Sequence, residues 1–183
     1  MLVPAIAAAV GGYVALVGLC RVSYRKLLYP APKRAFAELP GATLERFEAA
    51  DGMPVEAARY RSSAEAGRTA VFFHGNAETI ADSVERAHAL LGHGLSVVTV
   101  EYRGYGSSPG RSPSEAGLYA DAEAVLRALH AEGIGPDRIT LWGNSLGTGV
   151  ATEMAFRGHG SRLILQAPFT SIPDVAMTVA PFL

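Results

Sequence analysis

A chain of 183 residues with 49% hydrophobic content can build one domain of ordinary size with a real core, and is too short for two large ones. Lys+Arg number 16 against 17 Asp+Glu, a formal net charge of -1, which gives no bulk basic field for nucleic acid and no acidic solvating tail. A single cysteine, Cys20, excludes an internal disulfide scaffold, and no Cys/His spacing resembles a zinc site, so neither metal nor cofactor is expected.

From Leu2 to Cys20 there is no charged side chain. As a helix this run spans ~28 Å, close to the ~30 Å hydrocarbon core of a bilayer. A cleaved signal peptide calls for basic residues before the run and a small-residue cleavage site after it, and neither is present. A buried amphipathic helix calls for polar residues at helical spacing, and these are absent too. Pro4, Gly11, Gly12 and Gly18 are tolerated in membrane spans. Arg21, Arg25, Lys26, Lys33 and Arg34 follow with no acid before Glu38, which predicts a single-pass N-terminal transmembrane helix with the domain on the cytoplasmic side. The expected organisation is a membrane anchor over 1–22, a basic flank and linker over 23–42 centred on Pro30-Ala31-Pro32, and a folded domain over 43–183.

Thr43–Ala49 and Val55–Arg61 flank the turn Asp51-Gly52 and predict an antiparallel hairpin. Thr69–Phe73 reads as a strand, Ala77–Leu91 as a helix with Ile80, Val84, Ala87 and Leu91 on one face, and Leu95–Val100 as a strand. Ser114–Glu132 predicts a helix burying Leu118, Val125, Leu126 and Leu129, followed by strand Arg138–Trp142, helix Leu146–Arg157 and strand Arg162–Gln166. Strands separated by helices imply an α/β fold, a mostly parallel sheet of about six strands with helices on both faces.

Gly143-Asn144-Ser145-Leu146-Gly147 matches GxSxG where a strand ends and a helix begins, the context that a nucleophile elbow requires. Only glycine fits two residues either side of so tight a turn, which lifts the Ser145 hydroxyl to the carboxyl edge of the sheet. The helix beyond offers its amino end to developing negative charge, with the Leu146 amide as first oxyanion donor. The structural alternative is a serine that merely caps that helix. A second motif, His74-Gly75-Asn76-Ala77, follows an earlier strand and precedes a helix, where the other oxyanion amide is expected, here assigned to Asn76. Tyr102-Arg103-Gly104-Tyr105-Gly106-Ser107-Ser108 leaves the next strand at the same edge; Pro109 stands where GxGxxG needs its third glycine, so dinucleotide binding is unsupported. A histidine abutting a glycine turn, as His74 does, is better read as bonded to neighbouring backbone than as a base.

In order, spacing and motifs, Thr43 to about Ala176 resembles the α/β-hydrolase superfamily, covering roughly its first two thirds. It looks most like the membrane-anchored abhydrolase group, related to serine aminopeptidase-like and monoglyceride-lipase-like enzymes, with Tyr29-Pro30 and Gln166-Ala167-Pro168-Phe169-Thr170-Ser171 adding to the likeness. The resemblance implies an eight-stranded, mostly parallel sheet and a nucleophile, matched by Ser145, that works with an acid and a histidine in that chain order.

After Ser145 the only histidine is His159, at the far end of a helix leading away from the nucleophile, where it reads as a C-terminal loop residue. Asp174 is the candidate acid. The expectation is a serine hydrolase of ester, thioester or amide bonds, acting on a small-molecule or lipid-like acyl substrate, yet weakly active as this chain because no histidine suits the triad. The alternatives are a non-catalytic membrane-attached fragment or binding module, and self-association through an uncovered edge of the sixth strand.

Overall fold

The computed structural model describes residues 10–19, 29–33, 38–63, 67–110 and 113–171. Among them, strands β1 (Thr43–Glu48), β2 (Pro54–Tyr60), β3 (Thr69–Phe73), β4 (Ser96–Glu101), β5 (Ile139–Asn144) and β6 (Arg162–Gln166) form one sheet in the order β1-β2-β4-β3-β5-β6. β1 and β2 are antiparallel, with Thr43 opposite Arg59, and β2 is antiparallel to β4. β4, β3, β5 and β6 run parallel, so the sheet is mixed, with a parallel portion behind an antiparallel opening hairpin.

Every residue of β3 is buried, as expected for a strand covered on both faces. Alternation sends Val71, Phe73, Val98, Val100 and Leu141 to one core, and Ala58, Tyr60 and Val97 to the other. The first core is closed by helices α2 (Glu115–Ala131) and α3 (Leu146–Phe156), the second by α1 (Val84–Gly92) through Ala87. α2 starts where the Ser114 hydroxyl accepts from the Gly117 N–H at 3.2 Å, and it buries Leu118, Ala122, Val125 and Leu129 at helical spacing.

The expected helix over Ala77–Leu91 begins late. Ala77 sits at φ 60, outside the helical region, and the Thr79 N–H donates to Asp82 Oδ2 at 2.8 Å to open a short 3₁₀ turn, Ile80–Ser83, before α1. Other boundaries move by a residue or so: Arg138 belongs to a 3₁₀ turn before β5, and β5 runs on to Asn144.

Residues 10–19 are helical, and Val10, Tyr13, Val14, Leu16 and Leu19 are each more than half exposed. No helix among the described residues is long and apolar enough to cross a membrane. The remainder of the uncharged run, and Arg21, Arg25, Lys26 and Arg34 of the basic flank, lie outside the described residues. Of the expected linker, Tyr29 and Ala31 pack against the first core, and the Pro32 carbonyl accepts from the Gly106 N–H at 2.8 Å. On β6, Leu163, Ile164 and Leu165 are 40–46% exposed.

Candidate active site

Because β3, β4, β5 and β6 are parallel, their carboxyl ends share one edge, and the loops after Phe73, Glu101, Asn144 and Gln166 gather there. Among the described residues, three that are not glycine adopt positive φ: Ala77, Ser145 and Ala167. Each follows one of those strands, so backbone strain is concentrated at this edge.

Ser145 links β5 to α3 at φ 47, ψ -113. A Cβ on Gly143 would stand 2.3 Å from the Gly147 carbonyl oxygen, and one on Gly147 would stand 2.0 Å from that of Phe73. Glycine at both positions is therefore a requirement of the close approach between the elbow and β3. The strained residue is held from both sides: its N–H donates to the Gln166 carbonyl at 2.8 Å, and its own carbonyl accepts from the Thr148 N–H at 2.9 Å and the Thr148 hydroxyl at 2.6 Å. Ser145 occupies the cap position of α3, but its side chain makes no capping hydrogen bond, which disposes of the helix-cap alternative. The Leu146 N–H belongs to the first turn, where amides have no partner within the helix.

His74 follows β3 and is 1% exposed. Its Nδ1 lies 2.9 Å from the Gly75 carbonyl, a hydrogen bond in the tautomer that carries the proton on Nδ1. Its Nε2 is 3.0 Å from Glu101 Oε1, close enough for an ion pair but not aligned as a hydrogen bond. The ring packs between Tyr102 and Tyr105, at centroid distances of 4.3 and 5.1 Å. Both nitrogens thus face groups other than Ser145, in keeping with the backbone-bonded reading. Gly75 is pressed against the elbow, since a Cβ on it would lie 3.1 Å from Asn144 Nδ2 and 3.4 Å from the Asn144 carbonyl oxygen. The Asn76 side-chain oxygen accepts from the Tyr105 hydroxyl at 2.7 Å. Burial raises the Tyr102 and Tyr105 phenols above their ordinary range, so both keep their protons.

The loop after β4 is fixed by Arg103. Its backbone N–H, Nε and Nη2 all donate to Asp121, whose side chain is fully buried, and the same guanidinium reaches Asp51. Burial presses the Asp121 carboxyl upward, against the pull of Arg103.

Ser145 and the loop carrying His74, Gly75 and Asn76 therefore meet at one edge. His159 does not join them: it stacks on His130 beyond the far end of α3, with Nε2 3.6 Å from Glu123. His88 bonds the Pro40 carbonyl and His93 caps α1, so none of the five histidines is bonded to Ser145. Asp174 lies outside the described residues. Sequence reasoning missed Glu78, Glu101 and the Tyr105–Asn76 bond; an acid closing the β-branched run before Tyr102 was the available signal for Glu101. No group of three or more His, Cys, Asp or Glu suited to a metal occurs among the described residues. A cavity of about 670 Å³, lined in part by Leu118, Leu146, Val150, Leu165 and Phe169, borders the first turn of α3 at Leu146, not Ser145 itself.

Residues 64–183 match the family described as serine aminopeptidase, S33. The chain is 38% identical over 166 residues to an uncharacterized protein of Mycobacterium tuberculosis, covering 87% of this chain and 58% of that protein. It is 42% identical over 113 residues to a lysophosphatidylserine lipase of Danio rerio, covering 58% of this chain and 29% of the lipase. The chain thus spans little more than half of the first relative and under a third of the second. Among solved structures, an α-β serine hydrolase homologue from Coxiella burnetii superposes with a TM-score of 0.59 at 26% identity, over 72% of this chain and 64% of its own. An epoxide hydrolase from Vigna radiata superposes with a TM-score of 0.62 at 17% identity, over 78% and 47%, a likeness of fold alone.

Proposed function

Since the chain belongs to the serine aminopeptidase (S33) family of the α/β-hydrolase superfamily, we propose that it is a serine hydrolase acting through an acyl-Ser145 intermediate. The observation that carries this reading is the elbow itself, in which Ser145 is held at φ 47 between two obligatory glycines with its hydroxyl unused by the helix. In this reading Ser145 Oγ attacks a carbonyl carbon, its proton passes through a general base to the leaving group, and the bond to that group breaks. Water then hydrolyses the acyl-serine. The Leu146 and Asn76 N–H groups receive the charge that develops on the carbonyl oxygen. By the family's pattern the base is a histidine oriented by an acid, both later in the chain than the nucleophile. His159 points elsewhere and is not that histidine.

The substrate class proposed is a lipid-like ester, thioester or amide. The Danio rerio relative is a lysophosphatidylserine lipase, and the cavity beside Leu146, whose mixed lining includes Glu115 and Glu153, offers Leu118, Leu146, Val150, Leu165 and Phe169 as an apolar wall for an acyl chain. The uncharged run Leu2–Cys20, with its exposed apolar helix over 10–19, is proposed to hold the domain at a membrane, on the cytoplasmic side by its basic flank. The testing experiment is modification by a fluorophosphonate, which should fall on Ser145 and vanish in Ser145→Ala.

A further inference from the structure

The peptide joining Gly75 to Asn76 has its orientation fixed from the carbonyl side. The Gly75 carbonyl faces His74 Nδ1 at 2.9 Å and the Glu78 N–H at 3.4 Å. In a trans peptide the following N–H points the opposite way, so whatever holds the Gly75 carbonyl also aims the Asn76 N–H. The peptide before it is fixed by Glu78 as well, because Glu78 Oε2 accepts from the Gly75 N–H at 2.6 Å. The same oxygen accepts from Asn144 Nδ2 at 2.9 Å, and Asn144 is the residue immediately before Ser145. Glu78 Oε1 lies 3.5 Å from Arg86, which keeps the carboxylate in place from α1.

One carboxylate oxygen therefore bridges the loop after β3 and the last residue of β5 with two charge-assisted hydrogen bonds, roughly twice as strong as neutral ones. We propose that Glu78 is a positioning residue: it locks the Gly75–Asn76 turn to the nucleophile elbow, so that the Asn76 N–H keeps its place as oxyanion donor. This rests on the reading of Ser145 as nucleophile. Glu78 touches neither substrate nor reacting atoms; it acts through Gly75 and Asn144. Without it, the loop retains the His74 contact, the Tyr105–Asn76 bond and its packing on Asn144, but loses the hydrogen bonds that tie it to the elbow.

The experiment is fluorophosphonate inactivation of the full chain in detergent, resolved into kinact and KI, for wild type, Ser145→Ala, Glu78→Gln, Glu78→Ala and Asn144→Ala. Modification of wild type equal to that of Ser145→Ala overturns the nucleophile reading, and this proposal with it. Given modification at Ser145, kinact is expected to fall about tenfold or more in Glu78→Ala, toward the 10²-fold cost of a lost oxyanion donor, with KI unchanged. In Glu78→Gln the amide oxygen still accepts from both the Gly75 N–H and Asn144 Nδ2, so this conservative variant is expected to keep most of the wild-type kinact. If Glu78→Ala fails to fold, Asn144→Ala cuts the same link from the other side and carries the same expectation. A kinact within twofold of wild type in folded Glu78→Ala and Asn144→Ala, or a loss confined to KI, overturns the positioning role.

Discussion

Gly147 rests against the Phe73 carbonyl so closely that a Cβ on it would stand 2.0 Å from that oxygen. This contact couples α3 to β3, and it sets the elbow beside the loop that carries Gly75 and Asn76. Gly147→Ala is expected to destabilise the domain by more than the ~1–3 kcal/mol usual for overpacking, since the obstacle is backbone. Gly149, in the same helix, would place a Cβ 3.8 Å from Phe169, an ordinary contact. Gly149→Ala should fold as well as wild type or better, given alanine's helix propensity. Thermal melts of the two variants check the contrast, and equal melting temperatures would contradict it.

Arg103 is the partner of a carboxylate with no exposure, Asp121. Removing one member of such a pair strands a buried charge, so Arg103→Ala is expected to cost about 3–5 kcal/mol. Arg103→Lys should recover little, because a single ammonium cannot serve Asp121 and Asp51 together. Urea unfolding measures both, and a loss under about 1 kcal/mol for Arg103→Ala would count against the network's role.

The imidazole of His159 is held below its ordinary pKa, first by burial, against the attraction of Glu123 and with His130 and Arg127 adding to the drop. The unfolded chain then binds a proton at a higher pH than the native chain does. Stability is therefore expected to be full above about pH 6.5 and to decline as pH falls from there through the native pKa. His159→Gln should flatten that decline. An NMR titration placing His159 at or above the free imidazole value would contradict the sign.

Membrane attachment is tested by carbonate extraction of cells expressing the chain, with and without residues 1–22. Resistant pelleting is expected only with the run from Leu2 to Cys20 intact. Unchanged fractionation after the deletion would rule the anchor out.

Much of this fold is legible in the sequence where local chemistry decides it. Thr69–Phe73 and Arg162–Gln166 read as strands with the limits they have, since each is an apolar run between turn signals. The elbow is legible because glycine two residues either side of a serine is a backbone requirement, here imposed by Phe73 and Gly147 themselves. The start of α1 is not: apolar spacing runs smoothly through Ala77–Leu91 and does not register that Ala77 is left-handed or that Glu78 is bonded to Gly75 and Asn144. Glu101 and Tyr105 escape because their partners His74 and Asn76 belong to another strand's loop, and Glu78 because one of its partners, Asn144, ends a different strand; no spacing along the chain encodes these pairings.

The assignment of Ser145 as nucleophile meets its sharpest test in mass spectrometry of the purified chain after prolonged incubation with a fluorophosphonate, with the adduct assigned to a residue. An adduct on Ser145 is expected, with none in Ser145→Ala. An adduct on another serine, or equal modification of the two proteins, would overturn the assignment.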